Sequence, residues 1–455
     1  MFYFTLNNYR KCIVRIKVAA IAKDEGAYIP EWIFHHLHFK FDAIEIWVND
    51  TTDSSIEILN RICVNNSNVK YHIADELLLF CQKNKLPFQI EAYKKIFYKS
   101  IEEGFTHLIF LDLDELWMPR DFKTGIIECL ESYGEFDAVS FQWHLDSPNE
   151  LNEFELAINR NLLQKYKLVK TAFKLEKKTK IDIHNHLIEN GLYKLSDGSQ
   201  FNQDPTSKHN RAAVSIEHLN NNSEIDEYFI HHSIYRSKME YLSSLAKGLK
   251  QVNGGEIKNN RWGYLNLTGS IPNLKFDINH KDKELYLNAY SEFISENSLL
   301  NFIENAKIDI FRRYQRLLTK LKNDTHVIEN IKNVFLGTDI YELLDTTKQC
   351  SFTKHYVDSF NIGKEVVISG WLFLNDNSSK HNLRVLDEHG CEIEFSLTRS
   401  ARPDVKRKFI NAPIDSGFTL KINLKSVINN GSVRPITIIV ETEKEFGFVK
   451  LFNGL

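Results

Sequence analysis

The stretch THLIFLDLDELW, Thr106–Trp117, decides the reading of this chain. Its first eight residues are the most apolar run of the sequence and have the length of a buried strand. Asp112, Asp114 and Glu115 follow at the carboxyl end of that run. Alternation along a strand would point Asp112 and Asp114 to the same face. Two same-side carboxylates form a hard-oxygen site. Such a site suits Mg²⁺ or Mn²⁺, with phosphate oxygens and water completing the shell.

The residues before this run alternate between apolar runs and helical patterns. Strands are predicted over Ile13–Ile21, Ala43–Val48 and Val69–Ile73. Helices are predicted from Pro30 through Phe39, from Ser55 to Cys63 and over Ile90–Glu103, with Gly104 as a C-cap. Strand and helix in alternation imply a mostly parallel sheet covered on both faces. Ligands of such sheets bind beyond the carboxyl ends of the strands, here after Ile21, Val48 and Leu113.

Residues 151–300 read as less regular, with histidines in Ile181–Ile188 and Tyr228–Tyr235. A helical pattern runs from Glu292 to Val334. Short β runs follow at Val366–Phe373, Leu383–Leu386, Glu392–Leu397, Phe418–Ile422 and Ile436–Val440. The expected organisation is a Rossmann-like α/β catalytic domain over 1–290, a helical bridge over 291–349 and a small all-β sandwich over 350–455.

Composition narrows the classes. A chain of 455 residues exceeds one ordinary domain. Its 43% hydrophobic and 26% charged content is that of a globular protein. A formal net charge of -3 leaves no polybasic surface for a nucleic-acid partner. The cysteines at 12, 63, 81, 129, 350 and 391 form no CxxC pair, which argues against a zinc ribbon and a disulfide-stapled domain and predicts reduced thiols. The N-terminal MFYFTLNNYRKC lacks the basic start and apolar core of a signal peptide, and no run approaches the ~18 uncharged residues of a membrane helix. The expected location is the cytoplasm.

Two metal chemistries fit the acidic strand end. An aspartyl-phosphate phosphohydrolase would use Asp112 as nucleophile, but that class carries its motif on the opening strand and a Thr or Val where Leu116 stands. A nucleotide-sugar transferase uses a metal to bridge the donor diphosphate, and needs strands before the motif to hold the nucleoside. The order of elements fits the transferase.

The motifs also resemble a family. Lys23-Asp24-Glu25, Glu31-Trp32 and His36 are similar to the "KNE…EW…H" opening of glycosyltransferase family 2-like proteins, in the subgroup related to family 92. Trp47-Val48-Asn49-Asp50 with Asp53 resembles the nucleoside loop "Y-D-N-x-S-x-D", with Asn and Asp exchanged. Leu111–Leu116 resembles "D-x-D-E-F", with Leu for Phe. His232 to Gly248 resembles "H-Y-x-x-K-S-x-E-E-F-x-x-K-x-x-R-G", with Ser233 for Tyr. These matches span residues 19–248. The resemblance implies a GT-A fold, a UDP-sugar donor carrying a hexose such as galactose, Mn²⁺ or Mg²⁺, and inversion at the anomeric carbon. It also implies an oligosaccharide or lipid-linked glycan acceptor in bacterial surface polysaccharide or lipooligosaccharide synthesis, reached by peripheral contact at the inner membrane face.

Roles follow on the matched positions. Asp114 is the expected metal ligand, with Asp112 on the metal or the ribose. Asp24, Glu25 and Asp50 are expected at the nucleoside, and Arg236 and Lys247 at the diphosphate. His232, and next His186, are the candidate third ligands; His184 shares a face with His186 if that segment is a strand. Inversion needs a base for the acceptor hydroxyl. Where the family shows Trp-x-x-Phe-Gly-Ser, this chain reads Trp143-His144-Leu145-Asp146-Ser147. Asp146 is therefore the candidate base, with Glu150 and Glu153 behind it. His35, His36 and His38 read as a packed, hydrogen-bonded helix face.

In the last hundred residues, the "G-W" at Gly370-Trp371, "R-x-D-V" at Arg402–Val405 and "G-F" at Gly417-Phe418 resemble a β-domain appended to some bacterial glycosyltransferases. Trp371 and Phe418 are expected in its core, and an Arg402–Asp404 pair across its turn. Glycan binding or homo-oligomerisation through this domain stays open, as does a glycan-binding scaffold whose transferase site has decayed.

Overall fold

The computed structural model describes residues 14–146, 152–176, 178–201, 212–221, 224–249, 256–261, 263–264, 273–323, 331–338, 340, 353–374, 381–386, 393–429, 432–433, 436–441 and 446–452. In chain order the elements before residue 324 are β1 (Ile16–Ala22), α1 (Ile29–His38), β2 (Ala43–Val48), α2 (Ser55–Asn65), β3 (Val69–Ile73), α3 (Asp75–Asn84), α4 (Phe88–Glu102), β4 (His107–Phe110), β5 (Glu115–Pro119), α5 (Ile126–Ser132), β6 (Ala138–Asp146), β7 (Leu162–Lys174), β8 (Tyr193–Leu195), α6 (Ile216–Asn221), β9 (Tyr228–His232), α7 (Lys238–Leu245), β10 (Leu274–Lys275), α8 (His280–Glu296) and α9 (Leu300–Asn323). The described residues divide into two compact units. The first takes the chain through Arg236 together with Leu267–Lys307; the second takes Ser237–Asn266 and everything from Ile308.

The first unit is built on one sheet of order β3-β2-β1-β4-β7-β6-β9-β5, with β8 beside β6 and β10 beside β7. Strands β1 to β4 pair in parallel, as their βα alternation predicts. Beyond them the sheet is mixed. Strand β7 enters antiparallel between β4 and β6, and β5 returns antiparallel to β9. The expectation of a mostly parallel sheet therefore holds only for its first half. Residues 151–300 read as irregular because their strands β7 to β10 are separated by long stretches of sequence and do not repeat the short βα units of the first half.

Apolar residues of both parities on β1 explain the two layers. Ile16, Val18, Ala20 and Ala22 pack with Trp32, Ile33, Ile58, Leu59 and Ile126 on one face. Ala19, Leu108 and Phe110 pack with Tyr93, Ile96 and Phe97 of α4 on the other. The Tyr93 and Phe110 rings stack with centroids 3.8 Å apart. The α1 histidines are packed as expected: His35 Nε2 meets the Trp117 carbonyl at 2.8 Å and His36 Nδ1 the Trp32 carbonyl at 2.8 Å. Burial pushes the His36 imidazole down to about 3, so it stays neutral.

Among the described residues the second unit contains two larger antiparallel sheets and a two-stranded pair of Ile428–Asn429 with Ser432–Val433. One has the order Thr353–Ile362, Glu365–Leu374, Gly417–Asn423, Phe395–Ser400; the other Asn382–Leu386, Ile436–Glu441, Phe446–Phe452. Val366, Ile368, Phe418, Leu420 and Ile422 of the first share a core with Val385, Ile436, Ile438 and Val440 of the second, which makes a sandwich. Phe418 is in that core. Trp371 has the opposite parity and lies on the outer face, stacked near Phe373 and Phe409. Arg402 grips Asp404 with two nitrogens at 2.9 and 2.7 Å, the expected pair. No helix among the described residues is long and apolar enough to cross a membrane.

Candidate active site

The loops after β1 and β2 are tied to each other. Asp24 Oδ1 accepts the Thr52 amide at 2.7 Å, while Asp53 Oδ2 accepts the Gly26 amide at 2.8 Å. Gly26 is required here, because a Cβ would stand 2.9 Å from the Ala306 Cβ. Asp50 binds the Lys23 ammonium at 2.7 Å and its own amide donates to Asp75 at 2.6 Å. Asp24 and Asp50 hold left-handed backbone at φ 51° and 45°, a conformation short polar residues tolerate. Asp24 and Asp50, two of the three residues expected at the nucleoside, are thus fixed at adjacent strand ends.

The acidic motif is arranged differently from a strand. Strand β4 ends at Phe110, and residues 112–115 turn: the Glu115 amide donates to the Asp112 carbonyl at 3.0 Å, and the Asp112 amide to Glu115 Oε2 at 2.8 Å. The turn separates the two aspartates. Asp112 Oδ2 meets the Lys170 ammonium at 2.9 Å, and Lys170 also meets Glu115 Oε2 at 3.1 Å. Lys170 is there because β7 pairs with β4, Ala172 lying opposite Ile109, so that position 170 falls just past the end of β4. Burial alone would favour the neutral amine, but Asp112 and Glu115 hold its pKa well above the usual range. Burial, with Asp112 and Asp114 adding to it, pushes Glu115 up to about 7 against Lys170 and His232.

Asp114 meets the expected histidine. Glu115 lies opposite His232 in the β5–β9 pair, and the Ser233 amide donates to the Asp114 carbonyl at 2.8 Å. This register brings His232 Nε2 to 3.5 Å from Asp114 Oδ2, with Trp143 packed on the imidazole at 4.2 Å. A carboxylate oxygen and an imidazole nitrogen converging in this way fit a divalent cation held by two protein ligands. No group of three or more His, Cys, Asp or Glu is gathered for a metal among the described residues. His186 stands elsewhere: residues 181–188 form no strand, and its ring packs on Phe173 and Phe110 at 3.9 and 5.6 Å. His184 is the nearer of the two. It packs on Trp143, and burial followed by the Lys170 charge lowers its pKa to about 3.

Asp114 lines a cavity of about 300 Å³, whose wall also includes Tyr28, Glu31, Arg160, Ser233, Arg236, Tyr290, Glu304 and Lys307. Arg236 has left-handed backbone at φ 54°, which is unusual for a long side chain. Its guanidinium lies 3.2 Å from the centre of the Tyr28 ring, donates to the Leu113 carbonyl at 3.1 Å and approaches Glu25 at 3.4 Å. Asp146, the expected base, is buried away from this space. It accepts from Arg160 Nη1 at 2.9 Å and meets His231 Nε2 at 2.8 Å. Burial would raise its pKa, but Arg160 and His231 reverse the sign and lower it. Its carboxylate therefore anchors Arg160 at the cavity. Glu150 lies outside the described residues, Glu153 is exposed, and Lys247 belongs to the second unit.

Sequence reasoning missed Lys170, Arg160 and Glu31 as site residues. Lys170 and Arg160 are buried bases, and a buried base beside a carboxylate is signalled only by three-dimensional pairing. Glu31 had a sequence signal in the Glu31-Trp32 pair.

No family model matches the sequence. A mitochondrial aspartate–tRNA ligase of Dictyostelium discoideum is 27% identical over 136 residues, 28% of this chain and 19% of that protein. The chain thus spans about a fifth of the length of this curated relative. Among solved structures, S. aureus TarS is similar at 11% identity and a TM-score of 0.23, over 96% of this chain and 77% of the other. The inositol-1-phosphate CTP transferase of T. maritima is similar at 9% identity and a TM-score of 0.21, over 62% and 97%. Overlaps of that size carry no argument about chemistry.

Proposed function

We propose that the first unit is a GT-A-type transferase that moves a hexosyl group from a UDP-sugar to a glycan hydroxyl, with inversion. One observation carries this reading: Asp114, which has His232 beside it, and Arg236 line a single cavity beyond the ends of parallel strands. A carboxylate–imidazole pair next to a fixed guanidinium suits a metal-bridged diphosphate. When bound there, Mn²⁺ or Mg²⁺ supplies positive charge to the diphosphate as it leaves. Asp114 and His232 would hold the ion, and Arg236 donates to the phosphate oxygens from a position that Tyr28 and Leu113 fix. Asp24 and Asp50 stand at the strand ends where the nucleoside would lie. Asp112 enters this reading as a partner of Lys170 and not as a ligand. For a lipid-linked acceptor the protein would act at the cytoplasmic face of the membrane as a peripheral protein.

Calorimetry with UDP and Mn²⁺ tests the reading. UDP binding is expected to require Mn²⁺ and to be lost in Asp114→Ala. UDP release from one of a panel of UDP-hexoses is expected from the wild type. A wild-type chain that binds no UDP, with or without metal, overturns the transferase in favour of a non-catalytic glycan binder.

A further inference from the structure

The cavity wall holds a carboxylate to which the donor site gives no task. Glu31 sits in the first turn of α1 and lines the cavity together with Asp114 and Arg236. Two bonds fix it in place. Its Oε1 accepts the Ala157 amide at 2.8 Å, and the indole of the next residue, Trp32, donates to the Asp112 carbonyl at 3.0 Å. Among the described residues, the Ala157 amide is the one hydrogen-bond donor found on the Glu31 side chain.

The other carboxylates of this wall are otherwise engaged. Asp114 is beside His232, Glu155 accepts from Asn152 at 3.3 Å, and the exposed Glu304 pairs with Lys307 at 2.8 Å. Asp146 is sealed beneath Arg160. We propose, on the reading that the donor lies at Asp114 and Arg236, that Glu31 is the general base of the transfer. Its second oxygen takes the proton of the acceptor hydroxyl while that hydroxyl oxygen bonds to the anomeric carbon. The bond from that carbon to the diphosphate oxygen breaks, and its electron pair leaves with the diphosphate. The proton passes to solvent when product leaves.

The electrostatic setting agrees with this task. Burial is the largest influence on Glu31 and raises its pKa; the Ala157 amide and the charges of Arg160, Arg236 and His231 oppose it. Tyr286 and Tyr290, on α8, are near enough for the Glu31 charge to raise their own pKa values, after burial. A carboxylate raised toward the working pH is the stronger proton acceptor.

The test compares full-length wild type with Glu31→Gln and Glu31→Asp. Gln keeps the acceptor for the Ala157 amide and the side-chain volume. The readouts are Mn²⁺-dependent UDP affinity, donor KM, and kcat for UDP release from the most active UDP-hexose across pH. Glu31→Gln is expected to lose about 10²-fold or more in kcat. UDP affinity and KM should stay within about twofold, and the acid limb of the kcat profile should vanish. Glu31→Asp should recover part of kcat. A Gln variant that keeps a third of wild-type kcat with its acid limb intact overturns the base role alone. Loss of UDP affinity in step with kcat assigns Glu31 to donor positioning and also overturns it. A wild type that neither binds UDP nor releases it overturns the donor site and the base together.

Discussion

Two buried ion clusters flank the cavity, built from similar parts in opposite proportion. In one, the single cation Lys170 serves two carboxylates, Asp112 and Glu115. In the other, the single carboxylate Asp146 serves Arg160 and His231. The first leaves negative charge in surplus, and the Asp112 side chain is 39% exposed at the strand end. The second presents its surplus through Arg160 to the cavity. The carboxylate pKa values follow: Glu115 is raised and Asp146 lowered, although both are fully buried. Burial alone therefore does not set the sign; the ratio of partners does.

Removing the shared cation should break the comparison most visibly. Lys170→Met leaves the buried Glu115 carboxyl, and the partly exposed Asp112 beside it, without their cation and is expected to cost about 5 kcal/mol of stability. Denaturant unfolding measures this, and adding Glu115→Gln should recover part of the loss. Asp146→Asn should cost less, about 3 kcal/mol, because the amide oxygen can still accept the Arg160 hydrogen bond. Equal losses for the two variants would erase the distinction between the clusters.

The smallest effect is on pH dependence. Glu115 has a folded pKa of about 7, above its ordinary 4.5. Between those values the folded state holds more protons than the unfolded one, so stability falls as pH rises. The contribution between pH 5 and 7 is about 2 kcal/mol. Unfolding curves in chelator should show this slope in the wild type and lose it in Glu115→Gln. A slope that survives the substitution assigns it to another group.

How much of this was legible in the sequence depends on range. Strands β2 and β3 have the predicted bounds, since their apolar runs are ended by turn residues nearby. Helix α3 was missed because it buries little: Leu79 and Phe80 are exposed and only Cys81 is deeply buried. The nearness of His232 to Asp114 matched the motif order. The separation of Asp112 from Asp114 did not, because a turn closed by the Glu115 side chain replaces the expected strand. Asp146, expected beyond a strand as an accessible base, is instead the last residue of β6, and its burial depends on Arg160 and on β9, 85 residues away. Pattern along the chain predicts elements; it does not predict which buried charge finds which partner.

The place of β7 bears on how the chain folds. The parallel half of the first unit needs only residues up to 110, whereas β7 pairs with both β4 and β6 from residues 162–174. Contacts of such sequence separation form slowly, since a long loop must close first. On the ribosome, the acidic turn emerges about 55 residues before its lysine, at a synthesis rate of roughly 5–20 residues per second. For those seconds Asp112 and Glu115 have no Lys170, so the strand end that seeks a cation stays hydrated until β7 docks.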